Sequence, residues 1–96
     1  MTVVNWSVNA VEGKTSHVPV ALAVLNNQLH MVQVGENSPQ LYHSKLQASG
    51  KFGPNVPVEK QSSQAAPALA AVGNVLHLVY VGEHSLQLYH SRATIT

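Results

Sequence analysis

The chain of 96 residues has no cysteine, which excludes a disulfide framework, a thiolate nucleophile and a cysteine-type zinc site, and leaves packing as the source of stability. It has no aspartate either: the four acids are Glu12, Glu36, Glu59 and Glu83. That weighs against calcium loops and most carboxylate-pair chemistry. Charge is scarce at 9%, and five Lys/Arg against four acids leave a net +1. Such a balance offers no footprint for a phosphate backbone, so no nucleic-acid partner is expected. No stretch approaches the roughly 20 unbroken apolar residues of a membrane span, and the start Met1–Asn5 lacks the basic end and apolar run of a signal peptide. The chain is expected to be soluble, without membrane insertion. Its location stays open between the cytoplasm and non-classical secretion.

What is present is a repeat. Residues 16–44 and 63–91 align without a gap at a spacing of 47, with 17 of 29 positions identical. A fixed period in this range is the signature of a repeat architecture. The closest part reads Leu-His-x-Val-x-Val-Gly-Glu-x-Ser-x-Gln-Leu-Tyr-His-Ser in both copies, from Leu29 and from Leu76. Val11-Glu12 faces Val58-Glu59, and Trp6 falls one residue out of register with Phe52.

The local pattern is strand. Val20–Leu25, Leu29–Val34, Gln40–Leu46 and Val56–Glu59 are short runs rich in β-branched or aromatic residues, separated by Asn-Asn, Gly-Glu-Asn-Ser-Pro and Ser-Gly-Lys-Phe-Gly-Pro, and no segment carries a helical period. Short connections predict antiparallel meanders, so each unit reads as a four-stranded sheet with strands a to d. Runs such as Leu76–Val81 are apolar on both faces and ask for cover on both sides, which suits blades stacked around an axis. The first repeat spans about 5–49 and the second about 52–96.

The chain begins inside a strand d, at about 5–12 (Trp6 to Glu12), and stops at Thr96 before a last d. Two blades cannot close a ring, and an open pair would leave bare faces and unpaired edges. The expected fold is all-β, with two four-stranded antiparallel propeller blades per chain. Cyclic self-association completes the ring, and the leading strand finishes a blade of a neighbouring chain. A six-bladed trimer is favoured over a four-bladed dimer or an eight-bladed tetramer.

The phrase Ala-Pro-Ala-Leu-Ala at Ala66–Ala70, then Leu-His-Leu-Val-Tyr-Val-Gly at Leu76–Gly82 and Leu-Tyr-His-Ser at Leu88–Ser91, resembles the blade repeat of bacterial and fungal propeller lectins. The two-blade length resembles small fucose-binding lectins that assemble three chains into a six-bladed ring. The resemblance implies a lectin-like propeller. It carries no sugar-contact residues across, because those lectins hold the sugar with Trp and Arg and this chain has one of each.

In an up-and-down blade the d-to-a and b-to-c connections emerge at one end. This gathers Lys14–His17 with Gly35–Ser38, and Gln61–Gln64 with Gly82–Ser85, while Glu12 and Glu59 approach the same rim. Convergent polar groups beside an aromatic ring suit a sugar. The candidate ligand-binding residues are Glu12, Ser16, Glu36, Asn37, Ser38, Gln40, Tyr42, Glu59, Ser63, Glu83, His84, Ser85, Gln87 and Tyr89. A plainer reading of Gly-Glu-x-Ser is a hairpin loop, with Gly supplying a positive φ and Ser a local cap.

Six histidines invite a metal reading. With Val34 opposite Pro39, His30 would face His43 and His77 would face His90, but two imidazoles without a third ligand make an incomplete zinc site. Structural histidines are the stronger expectation, so no metal and no cofactor is assigned. Catalysis is not expected: there is no nucleophile elbow or phosphate loop, and a site copied in each repeat argues for binding. The sequence therefore points to a multivalent carbohydrate-binding propeller with itself and glycans as partners. The rival is a self-assembling structural or protein-interaction ring without a small ligand.

Overall fold

The computed structural model describes residues 4–7, 10–11, 14–16, 18–36 and 38–95. It is all-β: β1 (Ala21–Leu25), β2 (Gln28–Val34), β3 (Gln40–Lys45), β4 (Val56–Ser62), β5 (Ala68–Val72), β6 (Val75–Val81) and β7 (Leu88–Thr94). Two antiparallel sheets result, one ordered β1-β2-β3-β4 and the other β5-β6-β7. No helix among the described residues is long and apolar enough to cross a membrane.

The hairpins follow from their turn residues. Asn26 and Asn27 between β1 and β2 have φ of 52° and 62°, the two left-handed positions of a type I′ turn, whose twist matches the flanking strands. In the matching β5–β6 turn Gly73 has φ 59° and Asn74 has no positive φ, the type II′ solution.

Residues 30–34 of β2 are buried on both sides. On one side Val32, Val34 and Leu41 of the first sheet meet Leu78 and Tyr80 of the second, with Val18, Val58 and Leu69 packed around them. Each such side chain contributes about 1.5–3 kcal/mol on full burial, so this contact joins the two sheets. On the other side Gln33 Nε2 donates to the Thr15 carbonyl at 3.1 Å, tying the segment before β1 to the sheet. The leading residues 4–7 and 10–11 form no strand within the single chain.

The β2–β3 register pairs Val34 with Leu41, Val32 with His43 and His30 with Lys45. This differs by two residues from the pairing that would set His30 opposite His43. The tighter loop expected from sequence is widened because Gly35 N donates to Gln40 O at 3.0 Å. A two-residue shift preserves the face on which each side chain lies.

β4 carries an irregularity the sequence did not announce. Tyr42 pairs with Pro57 and Gln40 with Ser62, so β4 bulges, and Lys60 has φ 61°. The Gln40 amide braces the bulge, with Nε2 donating to the carbonyls of Val58 at 2.8 Å and Gln61 at 3.1 Å. Gln40→Ala strips these carbonyls of their donor and is expected to cost about 1–2 kcal/mol, measured as a lower urea midpoint with an unchanged slope.

Candidate functional site

Two polar hollows open on the molecule. One, of about 330 Å³, is lined by Thr15, Gln33, Gly35, Glu36, Ser38, Tyr42 and Asn55. The other, of about 480 Å³, is lined by Lys60, Ser62, Tyr80, Gly82, Glu83, His84, Ser85 and Tyr89. Six positions correspond at the spacing of 47: Thr15 with Ser62, Gln33 with Tyr80, and Gly, Glu, Ser and Tyr with their own kind. The connection before the first strand of each sheet thus meets the loop between its second and third strands, as the meander requires.

The glycine of Gly-Glu-x-Ser has a steric reason. Neither Gly35 nor Gly82 has a positive φ, in contrast to Gly50 and Gly73. A Cβ on Gly35 would stand 3.1 Å from Tyr42 Cε2, and one on Gly82 would stand 2.8 Å from Tyr89 Cε2. Glycine is there so that the tyrosine ring can lie against the backbone. The serine does cap the turn: Gln40 N donates to Ser38 Oγ and Gln87 N to Ser85 Oγ, each at 3.2 Å.

The structure thus brings Glu36, Ser38 and Tyr42 into one hollow and Glu83, His84, Ser85 and Tyr89 into the other. His84 Nε2 lies 2.7 Å from Glu83 Oε2. Gln40 and Gln87 line neither hollow; the Gln40 amide is used on β4, and Gln87 Nε2 reaches the Leu88 carbonyl at 3.1 Å. Ser16 and Ser63 are local braces. Ser16 Oγ donates to Val18 O at 2.7 Å, and Ser63 Oγ, fully buried, donates to Ala65 O at 2.9 Å. Glu59 is exposed on β4 and lines neither hollow. Glu12 and Asn37 lie outside the described residues. Sequence reasoning missed Gln33, Asn55, Lys60 and Tyr80 as lining residues. Gln33 and Tyr80 were readable as inward members of β2 and β6, but Asn55 and Lys60 depend on the long β3–β4 connection and the bulge.

The second hollow has a double aromatic wall. Tyr80 and Tyr89 are directly opposed across β6 and β7, with ring centroids 5.7 Å apart and planes inclined by 26°. Burial, and then Tyr89 beside it, pushes the Tyr80 hydroxyl above the usual phenol range. It therefore stays protonated and able to donate.

The histidines pair away from the hollows. His30 Nδ1 lies 2.9 Å from His43 Nε2, with the rings stacked at 5.1 Å, and His77 Nδ1 lies 3.0 Å from His90 Nε2. These are diagonal neighbours across the strands, reached because the register shift kept them on one face. His30 is fully buried and its Nε2 has no hydrogen-bond partner. The proton shared by the pair is therefore best placed on His30 Nδ1, leaving Nε2 as a bare acceptor, since an unpaired buried N–H costs more. Burial, and then Lys45, holds His30 below the ordinary histidine range, and burial, His30 and Lys45 do the same for His43. Among the described residues no group of three or more metal-ligating side chains gathers.

Comparison with protein families, curated proteins and solved structures gives no match.

The histidine shifts set a pH dependence. Because the folded pKa values of His30 and His43 are lowered, the unfolded chain takes up protons first as pH falls. Their contribution is complete above the unfolded value of about 6.5 and declines below it. The Tm is expected to fall between pH 7.5 and pH 5 at fixed protein concentration, and His43→Gln is expected to flatten that slope. Thermal melts by circular dichroism across the range check both.

Proposed function

We propose that the chain is a multivalent, lectin-like carbohydrate-binding protein without catalysis, in which each polar hollow takes one sugar unit and several copies form a β-propeller ring, with three chains giving six blades. The observation that carries this reading is the recurrence of one hollow in both sheets, with the same Gly, Glu, Ser and Tyr at the same places. Turn chemistry alone would repeat the capping Ser; it would not require open spaces of about 330 and 480 Å³ beside the two tyrosines.

The chemistry suits a pyranose. A sugar presents hydroxyls that donate to a carboxylate, and a face of C–H groups that rests on an aromatic ring. Glu36 with Tyr42, and Glu83 with the Tyr80–Tyr89 wall, supply both kinds of surface. The hollows are shallow, so affinity per site is expected to be weak and to grow when several sites engage one glycan-coated surface. Among the described residues each hollow is lined by one carboxylate, whereas glycoside hydrolysis uses two within one site. This favours binding over turnover.

A glycan array followed by titration of the full chain tests the reading. Binding to at least one densely displayed glycan class is expected. The double variant Glu36→Gln, Glu83→Gln should weaken it by about tenfold, the loss of one charge-assisted hydrogen bond per site, with an unchanged circular dichroism spectrum. Silence across broad sugar classes would overturn it in favour of a purely self-assembling ring.

A further inference from the structure

The two sheets are built alike and covered differently. In the first sheet Leu25, Val32 and Leu41 share one face, at 2%, 3% and 0% exposure, beneath the second sheet. Their counterparts 47 residues on are Val72, Val79 and Leu88, which share a face of the second sheet at 66%, 38% and 60% exposure. The cover inside the chain is the opposite face of the second sheet, with Leu69, Leu78 and Tyr80. The counterpart of that covering face lies on the first sheet, where Leu22 and Val24 of β1 are exposed and Met31 and Gln33 of β2 are buried. One chain thus presents an uncovered socket at one end and, at the other, a copy of the matching plug that is open over β1 and covered at Met31 and Gln33.

The edges tell the same story. The first sheet has a fourth strand, β4, on β3; the second ends at β7. Gln40 uses its amide to hold the β4 carbonyls of Val58 and Gln61, while Gln87 in the matching place reaches only the next carbonyl, Leu88. The residues that correspond to Val58 and Gln61 at the spacing of 47 are Val11 and Lys14, at the head of the chain. Lys60 bears the strain of φ 61° in β4, and its counterpart is Gly13, the residue type suited to that conformation. A cleft of about 160 Å³ lies between Val56, Pro57 and Val58 of β4 and Ser91, Arg92 and Ala93 of β7, where a fourth strand on β7 would close it. Trp6, in the same leading segment, is almost wholly exposed.

We infer that a second copy of this chain covers the second sheet: its first sheet lays Leu22 and Val24 over Val72, Val79 and Leu88, and its leading segment, through Ala10 and Val11, pairs with the free edge of β7. Both contacts come from the same neighbour, because within one chain β4 belongs to the sheet that precedes the one it leads into. The contact is head-to-tail, so repetition closes a ring or extends without end, and added-strand pairing removes an edge that would otherwise aggregate. This inference deepens the ring part of the proposed function and is independent of what the hollows hold.

Solution mass by light scattering, with no ligand present, reads the contact directly. The full chain is expected as one discrete multiple of 10.3 kDa; a monomer would overturn the inference. Val79→Glu changes a partly exposed residue of the single chain and is expected to give folded monomer; an unchanged mass would count against the interface. Should that variant fail to fold, a disulfide decides. By the Tyr42–Pro57 pairing, Tyr89 of one copy stands opposite Ala10 of the other, within the Cα separation a disulfide spans. The chain has no other cysteine, so the double variant Ala10→Cys, Tyr89→Cys should give chain-to-chain links on a non-reducing gel. No link, or a link confined to single chains, would refute it. A ring with no glycan binding would sink the sugar reading alone, and glycan binding by a monomer would sink the interface alone.

Discussion

The structure depends on one constraint: a β-sheet that is apolar on both faces must be covered on both. Among the described residues that demand is met where Val32, Val34 and Leu41 close against Leu78 and Tyr80. Other features follow from it. With 9% charged residues the strands have few side chains suited to solvent. β2 can run buried from His30 to Val34 only because the second sheet lies on one side and the segment before β1 lies on the other. Small residues take part as well: Ala21 and Ala23 share the covered face of β1, and their lack of bulk lets the sheets approach.

The histidine pair shows what the same cover does to a polar group. His30 and His43 sit where the sheets meet, joined by one hydrogen bond between their rings, and burial drives off the proton that would charge them. Two imidazoles sharing one proton are compatible with an apolar interface, whereas two imidazolium ions beside Lys45 are not. The pair His77–His90 reproduces the geometry on the open face of the second sheet. The arrangement is therefore set by the strands themselves, and the cover supplied by the neighbouring sheet adds the desolvation.

Much of this was legible in the sequence. Alternation and turn residues placed the strands to within a few residues, because Asn26-Asn27 and Gly73-Asn74 can do little else between β-branched runs. The meeting of Gly35–Ser38 with the connection before β1 follows from counting strands. Three things were not legible. The register of β2 on β3 depends on how many residues the loop spends on its own hydrogen bonds, which a two-residue ambiguity leaves open. The role of Gly35 and Gly82 is set by a tyrosine seven residues away pressing on the backbone, a contact that local turn rules do not contain. The bulge in β4, with Lys60 in the left-handed region, contradicts residue preference. It becomes intelligible through the amide of Gln40, which gathers the displaced carbonyls.

On the proposed sugar reading, the two hollows differ in ways that would bear on specificity. Where the first has Gln33, whose amide is engaged by Thr15, the second has Tyr80 stacked on Tyr89. Where the first has Asn37 in its loop sequence, the second has His84, paired with Glu83. Glu83 can thus be held by a neighbour of its own, while Glu36 is exposed. The second hollow has the larger aromatic wall and a partly engaged carboxylate. The first is more polar, with Gln33 and Asn55 beside a carboxylate open to solvent. In a ring of such chains the two kinds would alternate, so glycan avidity would be governed by the spacing of like sites, one per chain, as much as by the affinity of either.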